Sequence, residues 1–152
     1  MTISLRRTDA NDHDFQALVA LLDEQLRVLD GDDHVFYAQL NKTTDVDAVV
    51  AYINGQAAGC GALRAYSDDS VEVKRMYVLP SFRRCGVAST VLNELEKWAR
   101  EMGYKSCILE TGKRQPEAIA LYNKSGYNQI PNYGKYVGVE NSVCFRKFIL
   151  DT

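Results

Sequence analysis

The sequence predicts a mixed α+β domain, and three observations carry that prediction. Two stretches space their apolar residues as amphipathic helices do, several short apolar stretches read as strands, and Gly, Pro, Asn and Asp punctuate the gaps between them. The resulting order is β, α, α, three antiparallel strands, α, β, α, β, β, which gives a mixed sheet with interspersed helices.

Each element has its own reason. Ile3–Arg6 reads as a short first strand. Phe15, Leu18, Val19, Leu22, Leu26 and Leu29 mark a helix over Phe15–Leu29, with Asp12 as its cap. A second short helix is expected over His34–Leu40, capped by Asp32 or Asp33. Asp45–Ile53 and Gln56–Tyr66 are strands joined by the hairpin turn Asn54-Gly55. The turn Ser67–Ser70 leads to a fourth strand, Val71–Leu79, stopped by Pro80. Val87, Val91, Leu95, Trp98 and Met102 form one apolar stripe on a helix that starts near Gly86 and stops at Gly103. Lys105–Glu110 is the fifth strand. Pro116–Lys124 is a helix with proline in its first turn, ended by Gly126. Tyr127–Ile130 and Ser142–Ile149 complete the sheet.

A chain of 152 residues suggests one domain, residues 1–152, able to bury a core without disulfides or a metal. Its net charge of −2 lacks the basic excess of a nucleic-acid binder. No apolar run approaches the ~20 residues of a membrane span, and MTISLRRTDA lacks the apolar stretch of a signal peptide. A cytoplasmic protein, with neither nucleic acid nor membrane as partner, is therefore expected. The cysteines at 60, 85, 107 and 144 have no CxxC spacing, and only His13 and His34 could join them, so no metal site is expected.

The most informative stretch runs from Met76 to Ser89. A strand ends at Pro80, and a short loop opens directly into the head of a long helix. The first turn of a helix leaves main-chain N–H groups without partners, and the macrodipole adds roughly half a positive charge. Gly86 and Ala88 let an anion such as a phosphate approach, and Arg83 and Arg84 add charge at the rim. The same loop also fits an ordinary strand-to-helix turn with two solvated arginines. It lacks both Gly-x-x-x-x-Gly-Lys-Ser/Thr and Gly-x-Gly-x-x-Gly, which argues against nucleotide loops of those kinds.

Arg83-Arg84-Cys85-Gly86-Val87-Ala88 resembles the Gln/Arg-x-x-Gly-x-Gly/Ala signature of the GNAT superfamily of N-acetyltransferases. Met76–Pro80 is similar to that family's fourth strand. Gln115–Tyr122 with Ser125-Gly126-Tyr127 is similar to its later helix and sixth strand. Two departures stand out. Arg84 and Cys85 replace residues that are often Gly and Lys or Arg, and Gln115 stands where many relatives have Asn.

The resemblance implies a mostly antiparallel sheet of six or seven strands, helices on both faces, and a splay between strands four and five. It implies acetyl-CoA as cosubstrate, with the pantetheine arm lying in the splay. Main-chain groups of Met76 and Val78, with Tyr77 between them, would meet the pantetheine amides. Arg83, Arg84, Cys85, Gly86, Val87, Ala88 and Ser89 would form the diphosphate loop. Gln115 and Tyr122 would approach the pantetheine and the sulfur, and Lys124 the distal phosphate.

The implied chemistry is direct transfer of an acyl group, acetyl in the leading reading, to a primary amine of a small molecule or peptide. Such an amine has a pKa of about 10.4, so protonation withholds roughly 4–5 kcal/mol of attack-ready population at pH 7. Glu72 is the implied base, through water. It lies four residues before Met76, so both side chains are expected on one face of the strand. The Met76 amide is the implied oxyanion donor, a role that can contribute about 3–4 kcal/mol. Tyr122 is the implied acid for the departing thiolate.

Each role has a plainer counterpart. Glu72 could be a solvated strand residue, Tyr122 a core anchor, and Cys85 only a thiol that cofactor shields from alkylation. Asp30–Asp33 could draw in a cationic amine or simply cap a helix. His34, Phe36, Tyr37, Tyr133 and Tyr136 could line the acceptor site or merely pack. Trp98 reads as core, and Lys74 and Arg75 as facing opposite sides. A non-catalytic acyl-CoA-binding module and a longer acyl donor stay open, as does a homodimer.

Overall fold

The computed structural model describes residues 2–30 and 45–150. The elements are β1 (Ile3–Asp9), α1 (His13–Asp30), β2 (Asp47–Ile53), β3 (Gln56–Ala65), β4 (Ser70–Val78), α2 (Val87–Glu101), β5 (Ser106–Gly112), α3 (Pro116–Lys124), β6 (Asn128–Ile130) and β7 (Ser142–Phe148). The expected helix His34–Leu40 and the Asp30–Asp33 cluster lie outside or at the limit of the described residues, as do the side chains of His34, Phe36 and Tyr37.

The seven strands form one sheet in the order β1-β2-β3-β4-β5-β7-β6. Every pairing is antiparallel except β4 with β5. That parallel contact is short. It spans Ser70↔Ser106 to Glu72↔Ile108, after which the strands part. The rest of β4 keeps β3 as its neighbour, and the rest of β5 keeps β7.

Two apolar layers flank the sheet. On one face, Phe15, Leu18 and Leu22 of α1 pack on Ala48, Val50, Cys60, Ala62 and Tyr77. On the other, Val87, Val91, Leu92 and Leu95 of α2 and Tyr122 of α3 pack on Val49, Ala51, Val73, Leu109 and Phe145. Asp12 caps α1 as expected, its carboxylate accepting the Phe15 N–H at 2.9 Å. Trp98 is half-buried at the border of the core, with the Arg7 guanidinium 5.0 Å from its ring centre, and Met102 sits past the helix end, 41% exposed.

Pairing set several element ends that local pattern missed. β1 runs on to Asp9, because Asp9 pairs with Asp47. β5 runs on to Gly112 opposite Ser142. Tyr127 leaves the sixth strand, since its N–H closes α3 on the Tyr122 carbonyl at 3.0 Å.

The main correction concerns β4. Cys60 pairs with Tyr77 and Ala62 with Lys74, so two steps along β3 oppose three along β4. Arg75 and Met76 together face Gly61, and Arg75 takes a φ of 60°. This is a β-bulge, and it shifts the alternation of side chains by one residue. Glu72, Lys74 and Tyr77 consequently share the α1 face, while Met76 packs with the α2 layer. Glu72 and Met76 do not point to one face. Lys74 and Arg75 do not oppose each other either, for Arg75 reaches Asp23 of α1 at 2.8 Å.

Candidate active site

The parting of β4 and β5 opens a cavity of about 1130 Å³ that passes between the strands. Its walls come from α1, β4, the loop before α2 and the first turn of that helix, the end of β5, and α3. Of the residues singled out above, Glu72, Met76, Tyr77, Val78, Arg83, Arg84, Gly86, Val87, Ala88, Ser89, Gln115, Tyr122 and Lys124 all line it. Cys85 does not. Its side chain packs toward the core, with the thiol 3.5 Å from the Arg83 carbonyl oxygen.

One end of the cavity is the head of α2. Gly86 occupies the cap position with a φ of 81°, a conformation glycine adopts without strain, and Arg84 before it has a φ of 65°. Gly86 accepts the Thr90 N–H through its carbonyl, and no side chain caps the helix. The next amides, of Val87, Ala88 and Ser89, therefore face the cavity end as donors without a capping group. Lys74, Arg75, Arg83, Arg84, Arg114 and Lys124 outnumber Glu72, Glu110 and Glu117 along the walls, although the whole chain is acidic. Such a balance favours an anionic occupant.

The middle of the cavity exposes the main chain of β4. Leu79 donates to the Ala58 carbonyl at 2.9 Å, so by alternation the carbonyl of Val78 faces away from β3. Arg83 Nε reaches that carbonyl at 3.0 Å, while its other nitrogen donates to Gln25 on α1 at 2.8 Å. Arg83 thus ties the diphosphate-loop candidate to α1 rather than projecting freely into solvent. Met76 follows the bulge and lies outside the β3 register.

Polar groups gather where the strands part. On the α1 face, Glu72 is 7% exposed. Its carboxylate accepts the Tyr133 hydroxyl at 2.6 Å and lies 3.5 Å from Lys74 Nζ. Lys74 donates to the Tyr136 hydroxyl at 3.3 Å. Burial lowers the Lys74 pKa, against the pull of Glu72 and Glu110. Burial, reinforced by Glu72, raises the phenol pKa values of Tyr133 and Tyr136.

Glu110 is the carboxylate that sequence reasoning missed. It stands two residues past the last β4–β5 pair, accepts the Ser142 hydroxyl at 2.6 Å, and lines the cavity. A single acidic residue directly after the apolar run Cys107–Leu109 was the available signal. Tyr122 approaches from the opposite layer. It is 5% exposed, and burial followed by the Glu110 charge raises its pKa, so it stays a neutral phenol at physiological pH. Tyr66, Tyr133 and Tyr136 stack edge to face at 5.1 and 5.5 Å and wall off the Glu72 side.

Burial pushes the Cys60 and Cys107 thiols up to about 12 and the Cys144 thiol to about 11, so these three are poor nucleophiles. Among the described residues, no group of His, Cys, Asp and Glu could hold a metal, and no helix is long and apolar enough to cross a membrane.

A split sheet with an uncapped helix head at one end of the gap is the arrangement that the sequence resemblance implies. The comparisons give that architecture its family. The acetyltransferase (GNAT) family model matches residues 15–127, and the chain belongs to that family. An IAA acetyltransferase of Azospirillum brasilense is 35% identical over 127 residues, covering 79% of this chain and 82% of the relative. The crystal structure of a Klebsiella pneumoniae protein described as an acyl-CoA N-acyltransferase superimposes with a TM-score of 0.83 at 29% identity, covering 98% of this chain and 99% of that one. A Thermoplasma acidophilum N-acetyltransferase solved in complex with coenzyme A shares the fold at a TM-score of 0.72 and 17% identity, covering 97% of this chain and 99% of that one.

Proposed function

We propose that this protein transfers the acetyl group of acetyl-CoA directly to a primary amine. The observation that carries the reading is the cavity itself. It joins an uncapped helix head and an excess of cations to an opened sheet edge with proton-transfer groups on both faces. The diphosphate lies on the amides of Arg84, Gly86, Val87, Ala88 and Ser89, with Arg83 fixing the loop. The pantetheine lies along β4 at Met76 and Val78, with Gln115 and Tyr122 opposite and Lys124 toward the distal phosphate.

The acceptor comes in from the α1 face. An ammonium gives its proton to a carboxylate there, Glu72 or its neighbour Glu110, and the neutral nitrogen attacks the thioester carbon. The Met76 amide stabilises the oxyanion. As the adduct collapses, the carbon–sulfur bond breaks and Tyr122 gives its proton to the thiolate. The second nitrogen proton leaves through solvent and restores the phenol. Base and acid thus act from opposite faces, so neither must reorient between steps. The four cysteines are unpaired, three of them buried, which suits the reducing cytoplasm.

Calorimetric titration with coenzyme A tests the cofactor, and thiol release from acetyl-CoA tests the chemistry. The amine panel should span spermidine, free amino acids and a short peptide with a free N-terminus. Binding of coenzyme A and amine-dependent thiol release are expected. Absence of binding would overturn the whole reading, and binding without turnover on any amine would overturn the catalytic part.

A further inference from the structure

Beneath the cavity lies a second polar cluster that the proposed chemistry does not use. Glu96, in the middle of α2, is 3% exposed within the apolar layer. A carboxylate there is costly unless its oxygens are satisfied. Both are: the Tyr127 hydroxyl donates to one at 2.9 Å, and Lys147 Nζ of β7 donates to the other at 2.8 Å. Lys147 also sits 5.8 Å from the centre of the Tyr127 ring.

The cluster leads to Tyr122 by two contacts. The Tyr127 ring meets the Tyr122 ring edge to face, with centres 5.7 Å apart and planes at 66°. The Tyr127 N–H also closes the end of α3 on the Tyr122 carbonyl. Burial, with nearby Cys107 and Glu96, raises the Tyr127 pKa, so its hydroxyl remains a donor.

We infer that Glu96 and Tyr127 are positioning residues that tie the cofactor-holding helix α2 to the acid-bearing helix α3 and fix the seat of Tyr122. The inference rests on the proposed role of Tyr122 as acid. A buried hydrophobic pair would pack these helices just as tightly, but it would not fix one ring angle. A directional tether does, and misplacing a reacting group by about 1 Å can cost on the order of a hundredfold in rate.

The test is a double-mutant cycle of Tyr127→Phe and Tyr122→Phe, with turnover per folded molecule measured on the amine that gives the highest rate in the panel. Tyr127→Phe keeps the ring and removes only the tether. It should lower kcat about tenfold, leave both KM values within about twofold, and move the alkaline limb of the kcat–pH profile. In the Tyr122→Phe background, the same change should cost nothing further. Native kcat and pH profile in Tyr127→Phe, with only a lower Tm, would leave the cluster a purely structural role and overturn the inference. So would a double mutant whose losses multiply. Native turnover in Tyr122→Phe would instead refute the acid role itself, a distinct result. If Tyr127→Phe does not fold, Glu96→Met, which keeps a similar side-chain length but removes the acceptor for the Tyr127 hydroxyl, serves in its place with the same expected pattern.

Discussion

Two glycines in β3 make a ranked prediction about how closely the sheet and the cofactor helix approach. A Cβ added to Gly59 would lie 2.8 Å from Val87 Cγ1 and 2.9 Å from the Tyr77 carbonyl oxygen. One neighbour is a stiff β-branched side chain at the first position of α2, and the other is main chain held in the ladder. A Cβ at Gly61 would lie 2.5 Å from Met76 Sδ and 2.8 Å from Leu95 Cδ1, both ends of longer side chains that can rotate away, and 3.0 Å from Val91 Cγ1. Overpacking a core costs about 1–3 kcal/mol. Gly59→Ala belongs at the top of that range, a fall in Tm of roughly 6–12 °C, and Gly61→Ala near the bottom, roughly 2–4 °C. Because Val87 must move in the first variant, coenzyme A affinity should fall about tenfold there, and by less than about twofold in the second. Circular dichroism melts and calorimetric titration read both quantities. A larger loss in Gly61→Ala, or unchanged affinity in Gly59→Ala, would refute the argument that helix α2 is seated directly on Gly59.

Further perturbations test other parts of the structure. Tyr122→Phe should lower turnover by about a hundredfold or more while coenzyme A affinity in calorimetry stays nearly native. Asp12→Ala removes both the cap of α1 and the partner of Arg6 at 2.6 Å, and should cost about 1–2 kcal/mol in urea unfolding. The Lys74 pKa is lowered below its ordinary 10.5, so the folded state holds this proton less tightly than the unfolded chain. Its contribution to stability therefore rises with pH between the lowered value and 10.5, and Lys74→Met should flatten the difference between unfolding measured at about pH 7 and about pH 9.5. Gly86→Ala has open space around the added carbon but a φ of 81°, so it should destabilise by about 1–2 kcal/mol through backbone strain alone.

What could be read in advance was what local chemistry dictates. Pro116 and Gly126 bracket α3 at the bounds the structure gives, and Asn54-Gly55 turns with φ values of 52° and 79° as a tight hairpin requires. The diphosphate-loop candidates come together because they are contiguous. The bulge was not legible. Val71–Leu79 reads as an uninterrupted strand, and an arginine at positive φ leaves no mark in the sequence. That one residue moved Glu72 and Met76 to opposite faces. Glu110 was missed for a related reason. β5 continues past it only because β7 pairs with it, and β7 reaches that place by inserting between β5 and β6. Contacts between residues far apart in the chain decide both cases, and the lone acidic residue after Cys107–Leu109 is the one local trace of either.

The brevity of the β4–β5 contact matters for handling the protein as well as for catalysis. Past Glu72, no described strand pairs with the side of β4 turned toward β5, and the Val78 carbonyl there takes the Arg83 guanidinium instead. Such an interior edge should exchange its amide hydrogens quickly and should attract extended segments of other chains. A bound pantetheine would slow that exchange along Val73–Val78 and suppress aggregation together, making solubility during purification an indirect gauge of occupancy.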